Sequence, residues 1–379
     1  MSEQPLLTAA LIVRDEERVL GDCLRSLRAV ADEIVIVDTG SSDATIEIAR
    51  AGGARVLQLP WSGDFSAPRN LGLEHARGRW ILYVDADERV WPPARDRLQR
   101  RLRDAPEISL RVLLTPFAHA TPYFEYRLWR NDPRIRFQGV MHERVADSIH
   151  LVAAQDGRPI ADWPELAIEH VGYDGDQTAK HRRNLPLLEE QLRREPGNIF
   201  NWRHLSRVLH ALGRDADAIR ALERAVKLAR AQDPPSHEGS LAWAEAARLR
   251  HEHGLEVRML LAEGRERWPE QWLLRWIEGQ VDLDLGRPQA AAACFGELLA
   301  VDVAGLPSAG IAYDGRIFGE WAHASLGLAM FRSGRFEDAA AAYAAAERCN
   351  PDCAEYRVKR LLAQSRTRTA DAVSRQARE

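Results

Sequence analysis

The chain has 379 residues, room for two or three domains at about 150 residues each, so more than one buried core is expected. Lysine and arginine together number 52 against 56 acids, and the net charge of -4 is distributed as -5 over residues 1–180 and +1 over the rest. Neither half carries the basic surplus of a nucleic-acid binder, and 45% hydrophobic with 28% charged residues is a globular composition, not a disordered or fibrous one. The first seven residues include Glu3 and hold neither a cationic start nor a long apolar run. No later segment approaches the roughly 20 apolar residues of a membrane span, which predicts a cytoplasmic protein with no transmembrane segment.

The first 90 residues alternate short apolar runs with longer amphipathic stretches, the pattern of βαβ units. Leu11-Ile12-Val13, Ile34-Val35-Ile36-Val37 and Ile81-Leu82-Tyr83-Val84 are apolar without alternation, as strands covered on both faces must be. An open parallel sheet of that kind binds ligands beyond the carboxyl ends of its strands. There the chain reads Arg14-Asp15-Glu16-Glu17, Asp38-Thr39-Gly40-Ser41-Ser42-Asp43 and Asp85-Ala86-Asp87-Glu88, so three strands end in acids at one rim. In Trp61–Asn70, Asp64 or Ser66 is placed to cap a helix that admits Pro68 in its first turn and sets Arg69 near its positive end, where a guanidinium suits a diphosphate.

Further along, Pro92-Pro93 opens a helical stretch, and strands are predicted near Ile108–Leu114, Phe124–Trp129 and Ile135–Gly139. Arg127 and Arg130 are read as pointing the same way from the second of these, toward a diphosphate, an acceptor or solvent. After Gly172 the composition turns to Leu, Ala, Arg and Glu at helical spacing, and the pattern repeats with the period of tetratricopeptide hairpins. Copies begin near Asn201, near Trp276 with Gly279 and Phe295, and near Leu326 with Gly327 and Tyr343; a degenerate one lies around Leu241–Trp268. Gly305–Gly315 breaks the period and reads as a long loop. The domains are therefore expected at 1–173 and 174–365, with a polar tail at 366–379. Of the four cysteines only Cys349 and Cys353 are close, and with no histidine beside them neither a disulfide framework nor a zinc site is expected.

Four Asp-x-Asp pairs occur, at Asp85/Asp87, Asp174/Asp176, Asp215/Asp217 and Asp282/Asp284. The last two fall in repeat helices as solvated faces, and Asp174/Asp176 flank Gly175 in a turn. Asp85/Asp87 alone leave a buried strand at the rim, where hard oxygen ligands suit Mg²⁺ or Mn²⁺ bridging a diphosphate. Asp43 serves either as a helix cap or as part of the rim. Asp38, ending a buried strand two residues before a glycine, can accept hydrogen bonds from a nucleobase or ribose.

Val13 to Glu17, Val37 to Thr45, Asp64 to Asn70 and Asp85 to Glu88 together resemble glycosyltransferase family 2, densely over about 80 residues. The likeness continues through Tyr126–Asn131, Gly139-Val140-Met141-His142-Glu143 and Ile168–Tyr173. With the appended repeats the chain is similar to the bacterial branch that includes the peptide S-glycosyltransferases of glycosylated bacteriocins. It departs at Asp15, where that branch commonly has asparagine. The resemblance implies an α/β GT-A catalytic domain, Rossmann-like with a mostly parallel sheet, followed by an all-α solenoid. It also implies metal-dependent, inverting transfer of a hexose from a nucleotide-sugar, a UDP-sugar above others, to a peptide or protein, the alternatives being a lipopolysaccharide or exopolysaccharide sugar as acceptor and a non-catalytic tetratricopeptide adaptor. On that basis Val13, Arg14, Glu16, Asp38, Thr39, Asp43, Arg69, Asp85 and Ala86 would line the donor site, and Asp87 would bind the metal. His170 would be a third metal ligand or a structural residue. Glu143 would be the base, with His142 behind it, or else an ion-pair partner of Arg144 or Arg130. The solenoid would present an extended peptide, form a homodimer, or both.

Overall fold

The computed structural model describes residues 4–139, 143–172 and 178–376. The chain divides into two compact units, Met1–Gly175 with Ala304–Ala312, and Asp176–Val303 with Tyr313–Glu379.

The first unit is built on one mixed sheet. In chain order it contains β1 (Leu7–Val13), α1 (Leu20–Leu27), β2 (Glu33–Asp38), α2 (Thr45–Ala51), β3 (Arg55–Gln58), α3 (Ser66–His75), β4 (Trp80–Tyr83) and β5 (Glu88–Trp91). There follow α4 (Arg95–Asp104), β6 (Ser109–Thr115), β7 (Tyr123–Arg130), α5 (Ala146–Asp156) and β8 (Ile160–His170). The strand order is β3-β2-β1-β4-β7-β6-β8-β5. β3, β2, β1 and β4 are parallel, β7 runs against both β4 and β6, and β5 runs against β8.

Both faces of the sheet are covered, which is why β1 and β2 are buried almost throughout instead of alternating. On one face Leu20, Leu24 and Leu27 of α1 and Leu98 and Leu102 of α4 pack with Leu11, Ile36, Trp80 and Leu82. On the other, Leu73 of α3 and Ile149 and Val152 of α5 pack with Ala10, Ile81 and Trp129. From β1 the chain steps outward to β2 and β3, then returns through α3 to β4 on β1's other side. The topological switch point therefore lies between the carboxyl ends of β1 and β4, where an α/β sheet leaves its ligand crevice.

Two sequence expectations are corrected here. Ile135–Gly139 is not a strand: its Phe137 backbone bonds to the Asn70 amide on α3, and only Gln138 makes a bridge, to Arg144. Arg127 and Arg130 do not converge on one target, β7 being irregular between Tyr126 and Leu128. Arg127 bonds to Glu88, whereas Arg130 donates to the carbonyls of Ala105 and Glu107.

The second unit is helical: α6 (Thr178–Arg194), α7 (Ile199–Ala211), α8 (Asp215–Arg230), α9 (His237–Glu252), α10 (Arg258–Arg267), α11 (Trp272–Asp284), α12 (Pro288–Leu299), α13 (Glu320–Arg332), α14 (Phe336–Cys349) and α15 (Ala354–Gln376). Helices α7 to α14 form hairpins of the tetratricopeptide kind, the α9/α10 pair coinciding with the degenerate copy read from sequence. A Cβ on Gly279 would stand 2.7 Å from Phe295, and one on Gly327 would stand 2.9 Å from Tyr343, so glycine on the first helix admits the aromatic of the second. The segment between α12 and α13 contains two 3-10 turns, Val303–Ala309 and Gly315–Phe318, where the repeat period fails.

Candidate functional site

The loops after β1 and β2 are laced into one platform. Val13's carbonyl accepts from the Thr39 amide at 3.0 Å and from the Thr39 hydroxyl at 3.2 Å. Asp15 has φ of +54°, a left-handed conformation that asparagine and aspartate tolerate best, and its carboxylate accepts from the Ser42 amide at 2.7 Å. The Glu16 amide donates to the Thr45 hydroxyl at 2.7 Å, and exposed Arg14 lies 3.8 Å from Asp15.

The Asp38 and Asp43 carboxylates are occupied within this platform. Asp38 is 1% exposed and accepts from the amides of Gly40 and Ser41 and the Ser41 hydroxyl. The nucleoside bonds expected of it therefore meet a carboxylate already engaged in its own turn. Asp43 accepts from the Thr45 amide at 3.0 Å and the Glu17 amide at 3.1 Å. Desolvation works against its charge, but those donors hold its pKa below the ordinary carboxylate value. Asp43 thus bonds backbone just ahead of α2, whose N-cap position is Ala44 and carries no side-chain cap.

Across the switch point stands a buried charge network. Arg69, on the first turn of α3, is 9% exposed. Its Nε donates to Glu143, its Nη2 to Asp85 at 3.2 Å, and its guanidinium lies 4.1 Å from the Tyr83 ring centroid. Burial pulls against the charge, but the fields of Tyr83, Asp85 and Glu143 prevail and raise its pKa. Its Nη1 is buried without a hydrogen-bond partner. Such an orphan costs about 1–3 kcal/mol or more when charged, and an anion reaching it would remove that cost. Glu143 pairs with Arg69, where the sequence offered Arg144 or Arg130 as partners. It is held there because Ser66 and Asn70 of α3 bond to the backbone of Gly139 and Phe137, while Gln138 and Arg144 pair beyond it. His142 lies outside the described residues.

Asp85 accepts from the Tyr83 hydroxyl at 3.1 Å. Desolvation opposes its ionisation, but Arg69 and Arg127 keep its pKa below the usual value. Beneath it Glu88, 1% exposed, takes both Nη atoms of Arg127 at 3.2 and 2.9 Å and accepts from the Asp85 amide at 2.8 Å. Burial lifts Glu88 to about 7 against the pull of Arg127. Ala86 is buried in this turn, its carbonyl accepting from Arg89, and the Cys23 thiol under the loop is pushed up to about 12 by desolvation. Glu88, Arg127 and Tyr83 escaped the sequence reading. A third acid after Asp85-x-Asp87 on a buried strand was the available signal that a cation must arrive from elsewhere in the fold.

The antiparallel pairing of β5 with β8 sets Glu88 opposite His170 and so brings His170 Nε2 to 3.0 Å from Asp87 Oδ2. The Asp87 hydrogen bond raises the imidazole pKa above its usual value. Among the described residues no group of three or more histidine, cysteine or acidic side chains could hold a metal ion alone. Two protein ligands at an open rim do fit Mg²⁺ or Mn²⁺, which takes most of its shell from phosphate and water.

The model of the glycosyl transferase family 2 matches residues 8–144. The chain is 37% identical over 241 residues to a TPR repeat-containing protein of Synechococcus elongatus, covering 61% of this chain and 59% of that one. It is 28% identical over 234 residues to the SPbeta prophage-derived glycosyltransferase SunS of Bacillus subtilis, covering 59% and 54%. The chain therefore spans a little over half the length of these curated relatives. Over 117 residues, 29% of this chain and 43% of the relative, it is 37% identical to the lipopolysaccharide core biosynthesis glycosyltransferase LpsC of Rhizobium meliloti. Among solved structures, S. aureus TarS 1-349 in complex with UDP-GlcNAc aligns over 87% of this chain and 92% of that one at 16% identity, with a TM-score of 0.37. A likeness of that size carries no argument by itself, and the fold rests on the sheet order above. No helix among the described residues is long and apolar enough to cross a membrane.

Proposed function

We propose, from the match of residues 8–144 to the glycosyl transferase family 2 model, that this chain is a glycosyltransferase moving a hexose from a nucleoside diphosphate donor, a UDP-sugar first among the candidates, to a side chain of a peptide or protein. The observation that carries the donor assignment is Arg69: a buried, charged guanidinium with one orphaned N–H, beside the switch point of the sheet. A diphosphate is the ligand whose charge and acceptor oxygens answer that arrangement. Asp87 and His170 would hold a Mg²⁺ or Mn²⁺ ion, which when bound offsets charge on the diphosphate.

The chain's own residues do the rest. Arg69 binds the diphosphate and is oriented by Asp85 and Tyr83. Asp85 is in turn fixed by the Glu88–Arg127 pair. Val13, Thr39, Asp38 and Asp43 hold the loop platform on which the nucleoside lies, with Arg14, Glu16 and Ala86 at its edge. Glu143 uses Oε1 for Arg69, which leaves Oε2 to take the acceptor's proton as the acceptor attacks the anomeric carbon and the bond to the diphosphate oxygen breaks. Attack from the face opposite the leaving group inverts that centre.

A peptide acceptor is supported by the tetratricopeptide hairpins, which form extended concave surfaces suited to extended chains. A saccharide acceptor is the second reading, supported by the likeness to the lipopolysaccharide core enzyme, which is confined to 117 residues. The test is a panel of UDP-, GDP- and dTDP-sugars scored for donor hydrolysis with Mn²⁺, followed by mass spectrometry of peptides incubated with the preferred donor. A hexose mass on a Ser, Thr or Cys side chain supports the proposal. Hydrolysis without any peptide product across a diverse library, together with transfer to a saccharide, overturns the acceptor; no response to any donor overturns the whole reading.

A further inference from the structure

At the opposite edge of the sheet the same unit carries a second basic site. β4 begins after Arg79, β7 ends at Arg130, and β8 begins two residues after Arg158, so three arginines lie at neighbouring strand ends far along the strands from Asp85. They line a cleft of about 370 Å³ together with Asn131. That is within the range of small-molecule sites, about 300–1,000 Å³.

The backbones are fixed. The Arg79 amide bonds to Pro5, the Arg79 carbonyl accepts from the Asn131 amide, the Arg130 amide bonds to Ile108, and the Arg158 amide bonds to Ala153. The charges are only partly compensated: Arg158 acts on Asp156, and Glu107 on Arg130, through space. Arg130 spends two nitrogens on backbone carbonyls and stacks 4.8 Å from the Trp80 ring centroid. Neither the Arg79 nor the Arg158 side chain makes an ion pair among the described residues. The two acids on the cleft wall, Asp132 and Asp156, are both taken by Arg134, at 2.7 and 2.6 Å. Burial, and then the like charges of Arg158 and Arg79, pull Arg130 below the usual arginine pKa, a crowding that a bound anion relieves.

β4, β7, β6 and β8 are consecutive in the sheet, so Arg79 and Arg158 start about 14 Å apart at roughly 4.8 Å per strand. With Arg130 between them, the spacing suits two linked anionic centres better than one. We propose that this cleft is a second, metal-independent binding site for a soluble ligand carrying two or more phosphate groups, separate from the donor crevice. Guanidinium forks match phosphate oxygens in pairs, which gives the site its chemical preference.

Calorimetric titration of the full chain with inorganic pyrophosphate in EDTA, at constant ionic strength, tests this. Binding at one site is expected, together with a rise in Tm that sodium sulfate at equal ionic strength does not reproduce. Both side chains are exposed, so Arg79→Ala/Arg158→Ala should keep the unliganded Tm and donor hydrolysis while weakening pyrophosphate at least tenfold. Unchanged affinity in that double variant overturns the proposal, as does loss of pyrophosphate binding in Arg69→Gln with Arg79 and Arg158 intact, which would place it in the donor crevice. Arginine-dependent flotation with phosphatidic acid vesicles and no response to pyrophosphate also overturns it, in favour of a membrane headgroup contact.

Discussion

Arg127 and Glu88 form the most demanding contact of the catalytic unit, since both are nearly inaccessible and each compensates the other's charge. Removing one partner of a buried pair leaves the other uncompensated and costs about 3–5 kcal/mol, while removing both costs much less. Arg127→Met should therefore lower stability by that amount in urea unfolding, and Arg127→Met/Glu88→Met should recover a large part of it. Additive losses would show that the pair is not the unit of stabilisation. Asp87 differs, being partly exposed at the rim and paired, among the described residues, with His170. Asp87→Ala should leave Tm within a degree or two and cut Mn²⁺-dependent donor hydrolysis at least 100-fold, about 2.7 kcal/mol of barrier. At this scale the sequence was legible where position carries meaning: Asp85, Asp87 and Arg69 each follow a recognisable element. It was opaque for Arg127, whose role depends on β7 returning beside β4, and for Glu143, whose partner sits 74 positions away.

Elements were legible in proportion to how uniformly they are buried. β1, β2 and β4 are apolar on both faces and announce themselves, as do the glycine and aromatic positions of the hairpins. β3 is an exposed edge, β5 reads Glu-Arg-Val-Trp, and β8 carries Pro164 within an irregularity opposite Val112 and Leu113, so none has a strand's usual pattern. Ile135–Gly139 has the composition of a strand, but α3 satisfies its backbone instead. One join in the sheet is ionic. Glu33 at the start of β2 accepts from Thr8 on β1 at 2.6 Å and from the Arg77 amide and Nε at 2.8 and 2.6 Å. Desolvation opposes its charge, but these donors depress its pKa from the ordinary 4.5. A depressed carboxylate stabilises the fold above its unfolded pKa, and the contribution disappears as pH falls through the folded value. Wild type should thus lose stability more steeply than Glu33→Gln below about pH 4.5, and the two unfolding curves should converge in acid. Parallel pH profiles would remove Glu33 from the acid transition. In the solenoid, Gly279→Ala places a methyl against Phe295 and should cost about 1–3 kcal/mol, read as a lower Tm of the helical signal by circular dichroism.

For the whole molecule, the proposed function would let a sheet unit and a repeat unit on one chain separate the energy of chemistry from the energy of acceptor capture. If the repeats bind the acceptor, contacts distant from the modified side chain add to kcat/KM. Transfer to a peptide of about 30 residues should exceed transfer to a tripeptide with the same acceptor side chain by at least tenfold, one contact of about 1.4 kcal/mol, with donor hydrolysis equal in both. Length-independent kcat/KM would remove the solenoid from acceptor binding.

The β5–β8 ladder has a consequence for how this enzyme can diversify. Asp87 and His170 are 83 positions apart in the chain, yet their register is fixed by a few adjacent backbone pairs, Glu88 to His170 through Trp91 to Ala167. Everything between those strands is bracketed by the ladder as a cassette. Insertions in the turn between β6 and β7 can lengthen that loop without moving the two side chains across the ladder. On the proposed function, acceptor preference would drift between descendants of this chain while the Asp87–His170 pair is inherited unchanged.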